Sequence, residues 1–247
     1  DAAGLATTAP VILNEFAASG TNIVLNEALN VGGLFTVRGD SLTVNGSLSM
    51  GTPNWSTTNV SLKSLTNNGT INVPNVMELG NATRPYSTVV NSSTGSLSAF
   101  AVTINADSFQ NSGTITANAF LSVNARTAKL EGGVLSSANN LAIAANDLKL
   151  TGHRTASAAL SLAVTNSLTD SGAGASNLLT CNNGFTLATK PRLGNLLGTT
   201  LRTQAGQFRA IDHFWAAEDR GASPAGFSDN AAIGRLVISG VDTSFLT

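Results

Sequence analysis

The chain is short of charge. Only 11% of its 247 residues are Asp, Glu, Lys or Arg, where globular domains usually carry about 25%. Net charge is −1. That excludes the basic footprint of a nucleic-acid binder and of a protein held to an anionic membrane surface. One cysteine, Cys181, is present, so no disulfide can form within the chain. In "LLTCNNGF" it reads as a small buried apolar residue, with a thiol that pairs between chains as the second reading. No run approaches the roughly 18 apolar residues of a membrane-spanning helix. The two histidines, His153 and His213, have no neighbouring Cys or His at ligand spacing, so neither a metal nor any other cofactor is expected. GxSxG, phosphate-loop and calcium-nonapeptide motifs are also missing.

Small polar residues stand where the charge would be, and hydrophobic residues still make up 42%. This is not the composition of a disordered chain. The segment "SFQNSGTITANAFLSVNA" (108–125) shows the pattern. A glycine separates two stretches that alternate apolar and polar residues, and something similar follows about twenty residues later. Glycines ahead of a short apolar step recur at Gly46, Gly69, Gly95, Gly113, Gly133, Gly152 and Gly172. The last four intervals are close to twenty, and a fixed period of that size is the mark of a repeat architecture. Between the glycines, Ile104, Val123, Ile143 and Leu162 occupy equivalent positions on alternating segments, which predicts one apolar ladder along an interior face.

Twenty residues are too few for a strand–helix–strand unit, and helix caps and heptads are absent. A parallel β-helix with about 20 residues per coil fits, each coil pairing with those above and below. Gly and Asn are expected at corners that need left-handed backbone. Asn pairs at 67–68, 139–140 and 182–183 are expected at turns, with the further option of stacking as side-chain ladders. A β-sandwich is the alternative, although a sandwich does not require equivalent positions to recur at a fixed interval.

Residues 1–35 depart from the period and read as first coils or a cap, made of strands with a short helix. Residues 36–183 read as the regular solenoid. Residues 184–247 are richer in arginine and aromatics and return to one clear strand at "IGRLVISG". The opening "DAAGLATTAP" has neither Met nor an apolar leader, as expected of a chain whose leader was removed or of a piece of something longer.

The units "NNGTINV" and "NSGTITA", followed by "LSVNA", resemble the repeats of filamentous haemagglutinin-like bacterial surface proteins. "LTDSGAGAS" and the stretch through "AIGRLVISG" resemble a block of very large, repeat-built adhesins. The resemblance implies a right-handed β-helix at the cell surface with structural or adhesive duty. It supplies no catalytic residues, and the secretion domain that such proteins carry at their start is not in this chain.

The densest polar cluster is "RAIDHFWAAEDR". Asp212, His213, Trp215, Glu218, Asp219 and Arg220 are the candidate contacts for a glycan or a protein partner. Two carboxylates and a histidine could also serve acid–base work on a sugar. The plainer reading is a loop pinned by Arg–carboxylate pairs. "VRGDS" contains Arg38-Gly39-Asp40, a cell-attachment tripeptide in some proteins, and otherwise a turn with an Arg/Asp pair. The six N-x-[ST] sequons are what an Asn-, Ser- and Thr-rich chain makes by chance. An ice-binding face would need a regular Thr-x-Thr row, which Thr114-Ile115-Thr116 does not extend. The expectation is therefore a structural extracellular solenoid, an adhesin stalk or a self-assembling filament subunit, and not an enzyme. The alternative is a carbohydrate-binding or carbohydrate-cleaving β-helix. Expected partners are further copies end to end, flanking segments of a larger parent chain, or surface glycans, with no nucleic acid and no membrane insertion.

Overall fold

The structure is a computed structural model that describes residues 11–52, 54–170, 176–189, 191, 193–205, 212–216, 221, 230 and 232–240. These form nineteen strands, β1 (Val11–Leu13) to β19 (Ile233–Gly240), with no helix among them. The expected short helix near the start is therefore not found. Residues 11–35 form β1, β2 (Phe16–Leu25) and β3 (Leu29–Val31), and then open β4 (Phe35–Val44). Alternation of apolar and polar residues carries straight through this stretch, and that period belongs to strands.

Every pairing between named strands is parallel, and each joins one coil to the next. The chain is a β-solenoid of about nine turns of roughly 20 residues. A coil contributes three segments. In β10 (Ser96–Asn111), residues 96–99, 101–106 and 108–111 pair in turn with β11 (Thr114–Glu131), and the register slips between Ala99 and Ala101 where the chain rounds a corner.

The interior is built from vertical columns, one residue per coil. One runs Val11, Leu29, Leu48, Ile71, Leu97, Ile115, Leu135, Thr155, Leu179, Leu201, Leu236. A second runs Leu79, Ile104, Val123, Ile143, Leu162, Leu187. It contains the four residues expected to form the ladder, each at most 2% exposed. A third runs Ile23, Leu42, Leu65, Val89, Phe109, Ala128, Leu148, Leu168. Each fully buried Leu, Ile or Val contributes about 1.5–3 kcal/mol. Because a column residue touches only the coils beside it, stability accrues by nearest-neighbour steps along the axis. In the early coils Phe16 stacks on Phe35, and Phe35 meets Trp55 at a tilt of 39°, with ring centroids 5.6 Å apart in both pairs.

The periodic glycines do a different job from the one expected. Gly46, Gly69, Gly95, Gly113 and Gly133 do not adopt left-handed backbone; of the described periodic glycines only Gly152 does, at φ +61°, as do Gly80 and Gly132 outside the periodic set. A Cβ on Gly69 would run into the Gly46 carbonyl oxygen, and one on Gly113 into that of Gly95. On Gly133 it would lie 2.6 Å from the Gly113 oxygen. The period in the sequence records a column where successive backbones close in on each other, and only glycine leaves the room. Val134 pairs with Arg154, so His153, not Gly152, follows Gly133 in this column. Gly172 lies outside the described residues.

Asparagine does form ladders, and one of them is buried. Asn67, Asn91 and Asn111 are in register and at most 1% exposed. Asn67 Nδ2 donates to Asn91 Oδ1 and Asn91 Nδ2 to Asn111 Oδ1, both at 2.8 Å. The amides also donate to carbonyls of the next turn, as Asn67 Nδ2 does to Ser96 O at 3.1 Å. In register, Val44 precedes this row and Leu130 follows it. A second ladder, Asn26–Asn45–Asn68, stands in solvent, joined at 2.7 and 2.9 Å.

Candidate functional site

The polar segment singled out near the C-terminus is only partly described. Asp212–Trp215 form β18, which pairs with β15 (Asn177–Thr189) so that His213 lies opposite Phe185 and Trp215 opposite Leu187. Those register positions carry the core columns of earlier coils, where Phe185 and Leu187 are fully buried. Phe214 between them is 58% exposed. Glu218, Asp219 and Arg220, and the side chains of Asp212, His213 and Trp215, lie outside the described residues.

Arg38-Gly39-Asp40 is not a turn. It sits within β4, Gly39 against the Gly20 backbone. Asp40 pairs with Lys63 at 2.7 Å rather than with Arg38. Both partners are largely solvated, so the pair contributes little. Cys181 is free and fully buried, and burial pushes its thiol up to about 11. It is the inert packed residue that its surroundings suggested. Among the described residues, no three His, Cys, Asp or Glu side chains come together as metal ligands.

Two local arrangements stand out from the apolar stack. The first continues the glycine column. His153, Asn177 and Thr199 follow Gly133 in register, and all three are buried. The His153 N–H donates to Asn177 Oδ1 at 2.8 Å, Asn177 Nδ2 to Thr199 Oγ1 at 3.4 Å, and Thr199 Oγ1 to Asp170 Oδ2 at 3.0 Å. Neither ring nitrogen of His153 has a hydrogen-bond partner. Burial holds its pKa down at about 3, so the ring is neutral at pH 7.

The second is an open groove of about 320 Å³ that crosses four successive coils at one corner. Ala117, Ser137 and Ser157 lie along its floor, part of an inner column that reads Val73, Ala99, Ala117, Ser137, Ser157, Cys181. Earlier coils place Val31 and Met50 there. Ala117, Ser137 and Ser157 are smaller than the Val31, Met50 and Val73 of earlier coils. Its walls are outward residues of the same coils, Thr116, Asn118, Ser136, Ala156, Thr180 and Asn182. None of the lining residues is charged. Ser137 Oγ donates to Ala119 O at 2.9 Å. Ser157, one coil on, is only 7% exposed and its hydroxyl has no partner.

No family model matches the chain, and neither a curated protein nor a solved structure does. The fold is accordingly established by the parallel ladders alone. The groove escaped the reading of the sequence, which followed large apolar residues and charged clusters. Its signal was there in "ITANA", "LSSAN" and "TASAA": Ala117, Ser137 and Ser157 recur at twenty-residue intervals, small residues at a position the earlier coils fill with bulk.

Proposed function

We propose that the chain is a structural segment of an exported bacterial surface protein of the filamentous haemagglutinin-like kind, serving as an adhesin stalk or as the subunit of a surface filament. The observation that carries the reading is the unbroken axial pairing. From β1 to β19, one column alone is joined by ten successive parallel pairings. Such a stack is stiff along its axis and extends by adding coils without changing its cross-section. Its low charge also leaves little repulsion between copies. Supporting the bacterial-surface assignment are the Asn/Ser/Thr-rich composition and the resemblance of the "NNGTINV" and "NSGTITA" units. The reading assigns no catalysis to the chain and places it outside the cell.

Electron microscopy of the purified chain tests the filament form. Parallel strands stack about 4.8 Å apart, so a single chain should be a short rod. Long uniform fibres with an axial spacing near 4.8 Å are expected of a filament subunit, growing by a head-to-tail contact that does not close into a ring. Monodisperse rods at all concentrations would overturn the filament form and leave the stalk.

A further inference from the structure

We propose that β19 of one copy adds to β1 of the next as a parallel strand, with Leu236 in line with Val11 and Val237 in line with Ile12. The contact rests on the filament form of the proposed function, and it gives that form its joint and its register.

Both strands offer an open edge. Among the described residues β1 pairs only with β3, and β19 only with β17 (Leu196–Ala205). Each therefore keeps one side of its backbone N–H and C=O groups for a further strand. The inward side chains are half-covered to match. Val11 and Leu13 are partly buried, whereas Leu29 and Val31, at the same positions one coil on, are at most 7% exposed. At the other end Leu236 and Ile238 are 51% and 40% exposed, against 2% and 0% for Leu201 and Thr203 one coil back. One further coil at either end would bury them.

The outward row names the occupant. Ile12 belongs to a row that passes through Asn30 and Ser49 and ends in Arg202 and Val237. Every coil from Asn30 to Arg202 places a polar residue or alanine in this row. Only its two ends, Ile12 and Val237, are bulky and apolar. Ile12 is 76% exposed, more than any other large apolar side chain among the described residues. A side chain like that has nothing to pack on within its own chain. When β19 follows β1 in the same register, Val237 lies beside it. Val11-Ile12-Leu13 and Leu236-Val237-Ile238 are both continuous apolar runs, as parallel strands covered on both faces are. An unrelated strand could use the backbone edge, but it would not bring an apolar residue to all three places.

Charge sets the polarity. The sequence has no Lys or Arg before Arg38, and Glu15 and Glu27, on either side of β2, are exposed. Strands β17 and β19 carry Arg202 and Arg235, both exposed, and no carboxylate. Head-to-head docking would set the glutamates of two copies together, and tail-to-tail docking the arginines. Head-to-tail docking sets opposite signs together, which steers the encounter and penalises the other two arrangements.

Disulfide trapping tests the contact. Ile12→Cys and Val237→Cys chains are purified, mixed and oxidised. Neighbouring residues of a parallel pair lie about 4.8 Å apart, within reach of a disulfide. Cys181 is fully buried, and the unaltered chain serves as its control. The mixture should give at least about tenfold more covalent dimer on a non-reducing gel than either variant alone, because docking raises the local thiol concentration. A chain carrying both substitutions should give a ladder of covalent multimers. Ile12→Lys, a change on the surface, should raise the lowest protein concentration that yields fibres about tenfold or more. Circular dichroism checks that each variant is folded. Dimer as abundant from Ile12→Cys alone as from the mixture would mean head-to-head docking and overturn the proposal. Fibres without the 12–237 crosslink, or fibres of Ile12→Lys at the unaltered concentration, would overturn this contact and leave the filament reading standing. Rods alone, without covalent dimers, would overturn both.

Discussion

Asn91→Leu separates a hydrogen-bonded core ladder from three asparagines that merely sit above one another. In the native chain Asn91 Oδ1 accepts from Asn67, and Asn91 Nδ2 donates to Asn111 Oδ1. Leucine removes both contacts. Asn67 Nδ2 keeps its bond to Ser96 O, but Asn111 Oδ1 is left buried without its donor. An orphaned buried acceptor costs about 1–3 kcal/mol. Forcing a branched side chain beside two amides adds about 1–3 kcal/mol of misfit. A loss of about 2–6 kcal/mol is the expected total. The informative comparison is the triple variant Asn67→Leu, Asn91→Leu, Asn111→Leu. With all three amides gone no side-chain amide is stranded, although backbone carbonyls such as Ser96 O lose a second donor, and the column continues the leucine that Leu130 already places next in line. The native ladder also carries one unpaired atom of its own, Asn67 Oδ1, and the triple variant removes it. It should therefore recover at least half of the single-variant loss. Urea titration followed by far-UV circular dichroism gives the stabilities, and hydrogen exchange at the Ser96 and Thr114 amides localises the damage to these coils. If the triple variant loses the sum of three independent single-variant losses, or if Asn91→Leu alone is neutral, the ladder is not a coupled network and the reasoning fails.

Other consequences follow from the same columns. Ile143→Lys places an unpaired charge at a site 2% exposed and should abolish cooperative folding in a thermal melt; a soluble, folded variant would contradict the ladder assignment. Gly113→Ala meets the Gly95 and Ser92 carbonyl oxygens and should destabilise by several kcal/mol, whereas Gly132→Ala, in open space at φ +71°, should cost only about 1 kcal/mol of backbone strain; paired urea midpoints would show whether the two are ranked this way. His153 is held neutral with a folded pKa near 3, below its unfolded value of about 6.5. The unfolded state therefore binds the proton first. Stability contributed by neutral His153 is full above about pH 6.5 and is lost as pH falls from there toward 3, at up to about 1.4 kcal/mol per pH unit. His153→Gln should flatten the stability profile between pH 6.5 and 4.5, and an unchanged slope would show that other groups set it.

Much of the architecture was written in the sequence, because a solenoid turns a spatial repeat into a linear one. Residues stacked in one column must recur once per coil. Ile104, Val123, Ile143 and Leu162 could therefore be placed on one ladder before any coordinate was known. The twenty-residue period, too short for a strand–helix–strand unit, already selected stacked strands. Of the asparagines expected at turns, Asn68 and Asn139 lie in bends, while Asn67 and Asn140 sit at strand ends and Asn182 and Asn183 within β15.

What periodicity could not reveal is which force each repeated residue answers. Gly46, Gly69, Gly95, Gly113 and Gly133 recur because a carbonyl of the previous coil fills the space of their Cβ, whereas Gly152 takes the left-handed backbone expected at corners, and a one-dimensional pattern is identical in both cases. Asn67 and Asn68 are adjacent and chemically the same, yet one joins a ladder in the core and the other a ladder in solvent. Only the register of neighbouring coils decides which amide faces which. The groove belongs to this second category. Composition and periodicity together determined that the chain is strand-built, repetitive and poor in charge. That Ala117, Ser137 and Ser157 lie along one groove, and that the Ser157 hydroxyl lacks a partner, was decided by tertiary stacking. A cavity is the absence of side-chain volume from several coils at once, and no single coil contains it.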